Sequence, residues 1–256
     1  MVNIQKIRPG VWQLEESYRV YCTLVLGEAG AVLFDTGLGK QDLSSFVENQ
    51  GKTDCTVVCS HGHYDHVGGL RYFPSARLNR KDHALVEEKY RGSCTLLPLE
   101  PGDTFDLGSL HAEAVPLAGH THGSMGLLIP EEELLLAGDA LSPRLQLLGP
   151  GRGTLRELKQ TLEAALSLPF RSYLASHYPG EIPKSQVQAH LDHLSAFRWE
   201  QARPARFGDV SCLRSDWKGP SGRSTFLFEK ETGDDSYGSQ GEFLGGAGGA
   251  ADPAEL

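Results

Sequence analysis

Ten histidines stand in this chain of 256 residues, and three of them fall within six positions. The run reads Ser60-His61-Gly62-His63-Tyr64-Asp65-His66-Val67-Gly68-Gly69. His61 and His63 are two apart, so in an extended chain their imidazoles project to the same side. Asp65 and His66 follow where the pattern predicts the start of a helix, which aims them at a second point close by. Imidazole with carboxylate is a ligand set suited to zinc, iron or manganese. The plain alternative is a polar loop that happens to hold histidines. A lone His would favour it, whereas four titratable side chains massed beside a core strand favour a metal. Three more candidates close strand-like segments: Gly119-His120-Thr121-His122-Gly123, Gly138-Asp139 and Ser176-His177. Strand ends are where sites assemble in open sheets. The candidate ligands are therefore His61, His63, Asp65, His66, His120, Asp139 and His177. One ion takes about four ligands, so seven imply two divalent ions with one ligand shared. A carboxylate can bridge where an imidazole cannot.

The elements that would position these residues are mixed. Residues 2–7, 10–14, 19–26 and 31–34 predict an antiparallel meander, and a helix follows through Leu43, Phe46 and Val47. Residues 56–59 form a compact apolar strand just before the histidines. Helical spacing over 81–90 predicts a helix. Strands are expected at 110–115, 125–129 and 134–137, the last two joined as a hairpin across Glu131-Glu132-Glu133. Thr154 and Glu157 make a capping box that opens a helix through Leu166. A strand at 171–175, a helix at 185–198 and a strand at 225–228 complete the pattern. Strands and helices mixed in this way predict a layered α/β protein with mixed sheets. The domain is expected to span residues 1–231. Residues 232–256 are rich in Gly and Ser, too poor in apolar residues to offset their ordering entropy, and read as a disordered tail.

Composition narrows the function. The formal net charge is −9, and no long Lys/Arg cluster opposes it. Nucleic acid is therefore not expected as a partner. No apolar run approaches the ~18 residues of a membrane helix, and residues 1–9 lack the apolar core of a signal peptide. Five cysteines, an odd number, read as free thiols in a reducing compartment. The expected location is the cytoplasm and the expected partner a small-molecule substrate, with no membrane. The oligomeric state is not legible.

His-x-His-x-Asp-His, followed by single His, Asp and His at these strand ends, resembles the metallo-β-lactamase fold superfamily over roughly residues 1–230. The resemblance implies a four-layer αββα sandwich of two mixed β-sheets with a dimetal site at one edge. It assigns His61, His63 and His120 to one ion and Asp65, His66 and His177 to the other, with Asp139 bridging. Asp35, in Phe34-Asp35-Thr36-Gly37, matches a family strand-end motif that supports the ligand loop. Asp139 makes the chain similar to the glyoxalase-II-like and lactonase-like hydrolases, since many zinc β-lactamases have Cys or no carboxylate there. With 37 residues between Asp139 and His177, no large domain of the kind found in RNA-processing members fits between them. Glyoxalase II carries a C-terminal helical region for glutathione, whereas here one helix and one strand are expected after His177. The implied activity is hydrolysis of a small ester, thioester or lactone by a hydroxide held between two divalent metal ions, zinc before iron or manganese. Asp65 and Asp139 are the expected catalytic carboxylates, Asp65 as proton shuttle. Phosphodiester or β-lactam cleavage, and an iron-dependent oxidoreductase, are the rival activities for the same ligands.

Other residues are read more plainly. His122 is placed beside the site or facing substrate rather than as a ligand. His190 and His193 are expected on an exposed or partly buried helix face, and His83 and His111 as structural. Tyr64 and Tyr178 either line the pocket or act as spacers. Arg144 and Arg152 are expected in a solvated loop over 143–153.

Overall fold

The fold was analysed in a computed structural model that describes residues 3–17, 19–51 and 55–229. The tail expected from residue 232 lies outside the described residues. Seven strands form the first sheet in chain order: β1 (Asn3–Arg8), β2 (Val11–Glu15), β3 (Tyr21–Leu26), β4 (Ala31–Phe34), β5 (Cys55–Val58), β6 (Ser75–Leu78) and β7 (Thr95–Pro98). The first four run antiparallel as the expected meander. From β4 to β7 the pairing is parallel. Helix α1 (Leu43–Asn49) crosses from β4 to β5, and Asp42 caps it by accepting from Ser44 N.

The second sheet contains β8 (Thr104–Asp106), β9 (His111–Pro116), β10 (Met125–Ile129) and β11 (Leu134–Leu136), with β13 (Ser172–Leu174) and β14 (Ile182–Pro183) beyond β11. β10 and β11 form the expected hairpin. β11 and β13 are parallel, and α4 (Leu155–Ser167) lies between them in the chain. The Thr154–Glu157 capping box is present. Val25, Val32, Phe34 and Val58 of the first sheet meet Ala114, Leu127, Ile129 and Leu136 of the second in a dry interface. The outer face of the first sheet buries Leu24, Leu33, Val57 and Cys59 under α1 and the 64–73 segment. The outer face of the second packs Leu128 and Leu135 against α4 and α5 (Ser185–Ala196). The layers are thus helix, sheet, sheet, helix. Among the described residues no helix is long and apolar enough to cross a membrane. All five cysteines are free.

Three expectations are corrected. The helix expected over 81–90 is a 3-10 turn (Arg80–Leu85) and one α turn, α3 (Glu88–Arg91). Asp82 points inward there and accepts backbone N–H groups from two other loops, and Asn79 caps Lys81 N; such local bonds compete with a regular helix. A third sheet, order β12-β17-β16-β15, is added: β12 (Arg144–Leu147), β15 (Arg203–Phe207), β16 (Val210–Gly219) and β17 (Gly222–Phe228). β12 replaces part of the loop expected over 143–153. Its inner face, with Leu145, Leu147, Phe226 and Phe228, extends the core over α4 and α5.

The third correction is His190, which is wholly buried rather than at the surface. It lies against the Trp217 ring, and Gln186 beside it bonds Ser224 Oγ at 3.0 Å. Trp217 arrives from β16, so the α5 stripe alone could not reveal this contact. Burial pushes the His190 pKa down to about 3. An unfolded histidine titrates near 6.5. The unfolded chain therefore takes up this proton first as pH falls. The contribution of neutral His190 is complete above pH 6.5 and is lost progressively down to about pH 3. Thermal and urea unfolding of the wild type and His190→Gln from pH 7.5 to 4.5 will show the wild type losing on the order of 2–3 kcal/mol more than the variant. Parallel curves would remove burial of this imidazole as the cause.

Candidate metal centre

Four strand ends deliver the site. Asp35 follows β4, the 60–66 run follows β5, Asp139 follows β11 and His177 follows β13. His120 sits in the turn between β9 and β10. The run is pinned from both sides: Met125 N donates to Ser60 O, and Thr36 N to His66 O, each at 2.8 Å. After Ser60 the chain turns into the single α turn α2 (Tyr64–Val67), which carries Asp65 and His66. Gly68-Gly69 then press on the 36–39 loop. A Cβ on Gly68 would stand 2.5 Å from Leu38 O, and one on Gly39 2.1 Å from Gly68 O, so only glycine permits this approach.

All seven candidate side chains meet at this edge. His61 Nε2, His63 Nδ1 and His120 Nε2 form a triangle with sides of 3.0, 3.0 and 3.1 Å. Their outer nitrogens show which tautomer each ring adopts. His120 Nδ1 lies 3.1 Å from Gln146 O, and His63 Nε2 lies 3.0 Å from Pro150 O. A carbonyl only accepts, so each of these rings spends its N–H outward. Their inner nitrogens then present bare lone pairs to one another at 3.0 Å. Such a contact is repulsive unless a cation lies among them, and ligands about 2.0–2.1 Å from one tetrahedral ion stand close to this far apart. Burial holds His61 well below the ordinary imidazole range, helped by the neighbouring His66 and His120. Burial likewise brings His120 to about 4. Both rings are neutral at pH 7, the form that binds metal.

The second group lies alongside. His177 Nε2 is 3.2 Å from Asp65 Oδ2 and 3.3 Å from Asp139 Oδ2. Asp139 Oδ2 is also 3.7 Å from His120 Nε2, and Asp139 Oδ1 is 3.7 Å from His66 Nε2. Asp139 thus stands between the two groups. His66 Nε2 and Asp139 Oδ1 are buried without a hydrogen-bond partner, an arrangement that costs roughly 1–3 kcal/mol per group unless something fills the gap. Burial would keep His66 neutral, but the Asp35, Asp65 and Asp139 carboxylates push its pKa well above the usual value. Burial also opposes the proton on His177, and Asp139 overcomes it, raising the pKa to about 10. Asp139 is held well below the usual carboxylate range by His177 and His66 against its own burial. Without metal, protons on these rings offset the buried carboxylates; divalent cations fit the same need.

Asp35 organises the rear of the second group. Its carboxylate accepts from His66 Nδ1 at 2.8 Å, Ser60 N at 2.7 Å, Ser60 Oγ at 2.9 Å and Ser176 Oγ at 3.0 Å. Its φ of +68° is a left-handed conformation that Asp tolerates better than most residues. His177 Nδ1 donates to Arg19 O at 3.2 Å. Every ring except His61 therefore has an acceptor behind it that cannot donate, and His61 Nδ1 faces the Ser60 hydroxyl at 2.9 Å.

Sequence reasoning missed Asp82 and the carbonyls of Arg19, Gln146 and Pro150. Asp82 is buried and joins the two loops that carry the three-histidine group. It accepts from Gly62 N at 3.0 Å, Thr121 Oγ1 at 2.7 Å and Gly123 N at 3.0 Å. Asp82→Asn places an amide hydrogen against one of these donors. Calorimetric titration of chelator-stripped protein with Zn²⁺ is expected to show binding at the three-histidine group weakened about tenfold. Unchanged affinity at both groups would leave Asp82 no role in positioning. Of the remaining residues, His122 is half-exposed and bonds Glu157 Oε1 of the α4 cap at 2.9 Å. Tyr64 is exposed, with its ring 6.5 Å from that of Tyr90. Tyr178 packs on the core and donates to Ser221 O. Arg152 pairs with Glu229 at 2.9 Å, and Arg144 lies over the Phe207 ring. His83 bonds Leu78 O, and His111 pairs with Glu131.

Comparison with known proteins supplies the lineage. The family model of the metallo-beta-lactamase superfamily matches residues 18–177. A probable metallo-hydrolase, YqgX of Bacillus subtilis (strain 168), is 24% identical over 189 residues, covering 66% of this chain and 87% of that one. The hydroxyacylglutathione hydrolase of Legionella pneumophila (strain Paris) is 27% identical over 150 residues, 56% of this chain and 51% of its own length, so this chain spans about half of that enzyme. The atrochrysone carboxyl ACP thioesterase of Aspergillus fumigatus is 28% identical over 211 residues, 75% of this chain and 60% of that one. Among solved structures, a metallo-beta-lactamase from Pontibacter korlensis superposes with a TM-score of 0.65 at 20% identity, covering 77% of this chain and 100% of that one. The likeness carried by the His-x-His-x-Asp-His run extends through the sheets that hold it, and the chain belongs to the metallo-β-lactamase superfamily.

Proposed function

We propose that the protein hydrolyses a small ester, thioester or lactone with the help of two divalent cations. His61, His63 and His120 would hold one, and Asp65, His66 and His177 the other, with Asp139 touching both. The observation that carries this reading is the pair of lone-pair nitrogens on His63 and His120, 3.0 Å apart, whose outward N–H groups are already committed to carbonyls. Bound divalent cations acidify water and polarise a carbonyl oxygen. The chain's own residues do the rest. Asp65, with its pKa pulled down by His66 and His177 against its burial, is ionised and stands ready to receive a proton. Asp35, Ser60 and Ser176 fix the His66 ring so that it need not reorganise during reaction. His177 is about a quarter exposed, which leaves this side of the site open to a small substrate. Two relatives are named for cleaving an acylglutathione and an acyl carrier thioester, which supports acyl transfer to water as the reaction class. Between His177 and residue 229 the described residues form β14, α5 and the β15–β17 strands, and glutathione is not proposed as the leaving thiol. The nitrogen-rich donor set suits zinc before iron or manganese. Free thiols fit a reducing compartment, and the cytoplasm is the proposed location.

The test is elemental analysis of protein purified without added metal, followed by turnover of the same sample on thioester, lactone, phosphodiester and β-lactam substrates. Close to two divalent ions per chain, with thioester or lactone as the best substrate, is the expected result. Preference for a phosphodiester or a β-lactam, or an iron-dependent oxidation without hydrolysis, would overturn it.

A further inference from the structure

The outer face of the third sheet gathers cations in a chain whose formal net charge is −9. Arg203 of β15 lies directly opposite Arg214 of β16. Lys218 of β16 lies directly opposite Arg223 of β17. Arg144 of β12 is in register with Thr225, which is opposite Asp216. Residues opposite one another share a face, and so do alternate residues of one strand. Arg144, Arg203, Arg214, Lys218 and Arg223 therefore point the same way, with Asp216 in their midst. Like charges placed directly opposite destabilise a sheet. Asp216 relieves two of them, 3.0 Å from Arg214 Nε and 3.2 Å from Arg223 Nη2. Among the described residues neither Arg203 nor Lys218 has an acidic partner within ion-pair distance, and both are exposed. Beside the β16–β17 turn, Asp216, Trp217, Lys218, Gly222 and Arg223 line a shallow groove of about 440 Å³. The opposite face of the sheet packs on the core, so folding alone does not call for these charges.

The position of the face gives it a use. β12 carries Arg144 on the surface and, two residues on, the Gln146 carbonyl that holds His120. The loop after β12 supplies Pro150 O to His63 and Arg152 to Glu229 at the end of β17. The cationic face thus adjoins the candidate metal centre through one strand and one loop. We propose that it is a docking surface for an acidic protein segment, a partner whose clustered Asp and Glu side chains are held next to that centre. A long polyanion or an anionic bilayer would extend past four strands, about 15 Å across, and meet the negative remainder of the molecule. A compact acidic segment needs only the patch, and its approach is steered by it. Docking stands independently of the hydrolase reading. That a substrate tethered to such a partner would be brought to the site rests on that reading.

The experiment measures fluorescence anisotropy of a labelled oligoglutamate peptide with the full-length protein at low and high salt. Labelled single-stranded DNA and phosphatidylserine-containing vesicles serve as rival probes. The peptide is expected to bind, to weaken as salt rises, and to lose at least about tenfold in affinity in the Arg203→Glu, Lys218→Glu double variant. Turnover of a small neutral thioester should stay at the wild-type level in that variant, which separates loss of docking from loss of catalysis. Should charge reversal unfold the sheet, the Arg203→Gln, Lys218→Gln pair removes the charges without adding repulsion and is read in the same way. No peptide binding, binding indifferent to these substitutions, or tighter binding to DNA or vesicles overturns the proposal. So does binding that appears only after Glu231, Asp234, Asp235, Glu242, Asp252 and Glu255 are changed to amides, since the chain's own C-terminal segment would then be the occupant.

Discussion

Asp139→Ala is expected to purify with at least one divalent ion fewer per chain and to lose turnover by about a thousandfold or more. Its two carboxylate oxygens face different partners, Oδ1 toward His66 and Oδ2 toward His177 and His120. Alanine removes the group that joins the two clusters and leaves Asp65 as the one carboxylate facing both His66 Nε2 and His177 Nε2. Lewis-acid stabilisation is worth several kcal/mol, and each 1.36 kcal/mol is about tenfold in rate. His61→Ala should behave alike, because His61 belongs to both the three-histidine group and the group with His66 and Asp139. Elemental analysis beside kinetics on the same preparation is the check. Full metal content and activity in both variants would dismantle the assignment.

Asp35→Ala should be the more damaging to folding. Four donors converge on this buried carboxylate, and alanine leaves them without an acceptor while occupying a φ of +68° that suits Asp better. Each stranded buried donor costs roughly 1–3 kcal/mol, partly recovered by relaxation, so a net loss of about 3–5 kcal/mol is expected. For a domain of this size that lowers Tm by roughly 10 °C. Asp35→Asn tolerates the same backbone conformation and keeps one oxygen, so it isolates the electrical part. It should melt closer to the wild type but bind metal about 10–100-fold more weakly, because the His66 imidazole loses its anionic partner. Equal metal affinity in Asp35→Asn and the wild type would show that the carboxylate acts on folding alone.

What was legible in the sequence followed from range. The His61–His66 run, the β1–β5 strands and the Thr154 capping box are local patterns, and each is found where it was expected. The strand ends that carry candidate ligands were legible because glycines and polar residues interrupt apolar runs at His120, Asp139 and His177. Contacts made by backbone carbonyls were not legible. Gln146 and Pro150 hold two imidazoles through atoms that every residue possesses, so no side-chain pattern marks them. β12 was hidden for a related reason. Its four residues lie between Pro143 and Gly149-Pro150-Gly151, which read as turn, and its strand character comes from β17, far along the chain. Asp82 sat in a stretch of helical spacing, and only the approach of Gly62 and Gly123 shows why its carboxylate turns inward. β16 was masked by Arg214 and Lys218, which occupy the outward positions of a strand whose other face carries Leu213 and Trp217, and β15 by Arg203 and Arg206, which fall on opposite faces and leave it no apolar alternation.

Among the described residues β12 is an edge strand whose sole neighbour in its sheet is β17. During translation, all seven candidate ligands leave the ribosome before residues 222–228 do. Until those residues arrive, the strand that carries Gln146 has nothing to zip against, and the His120 ring lacks a fixed backstop. If the proposed centre takes up its ions only with that backstop in place, uptake waits for residues 222–228 to join the sheet.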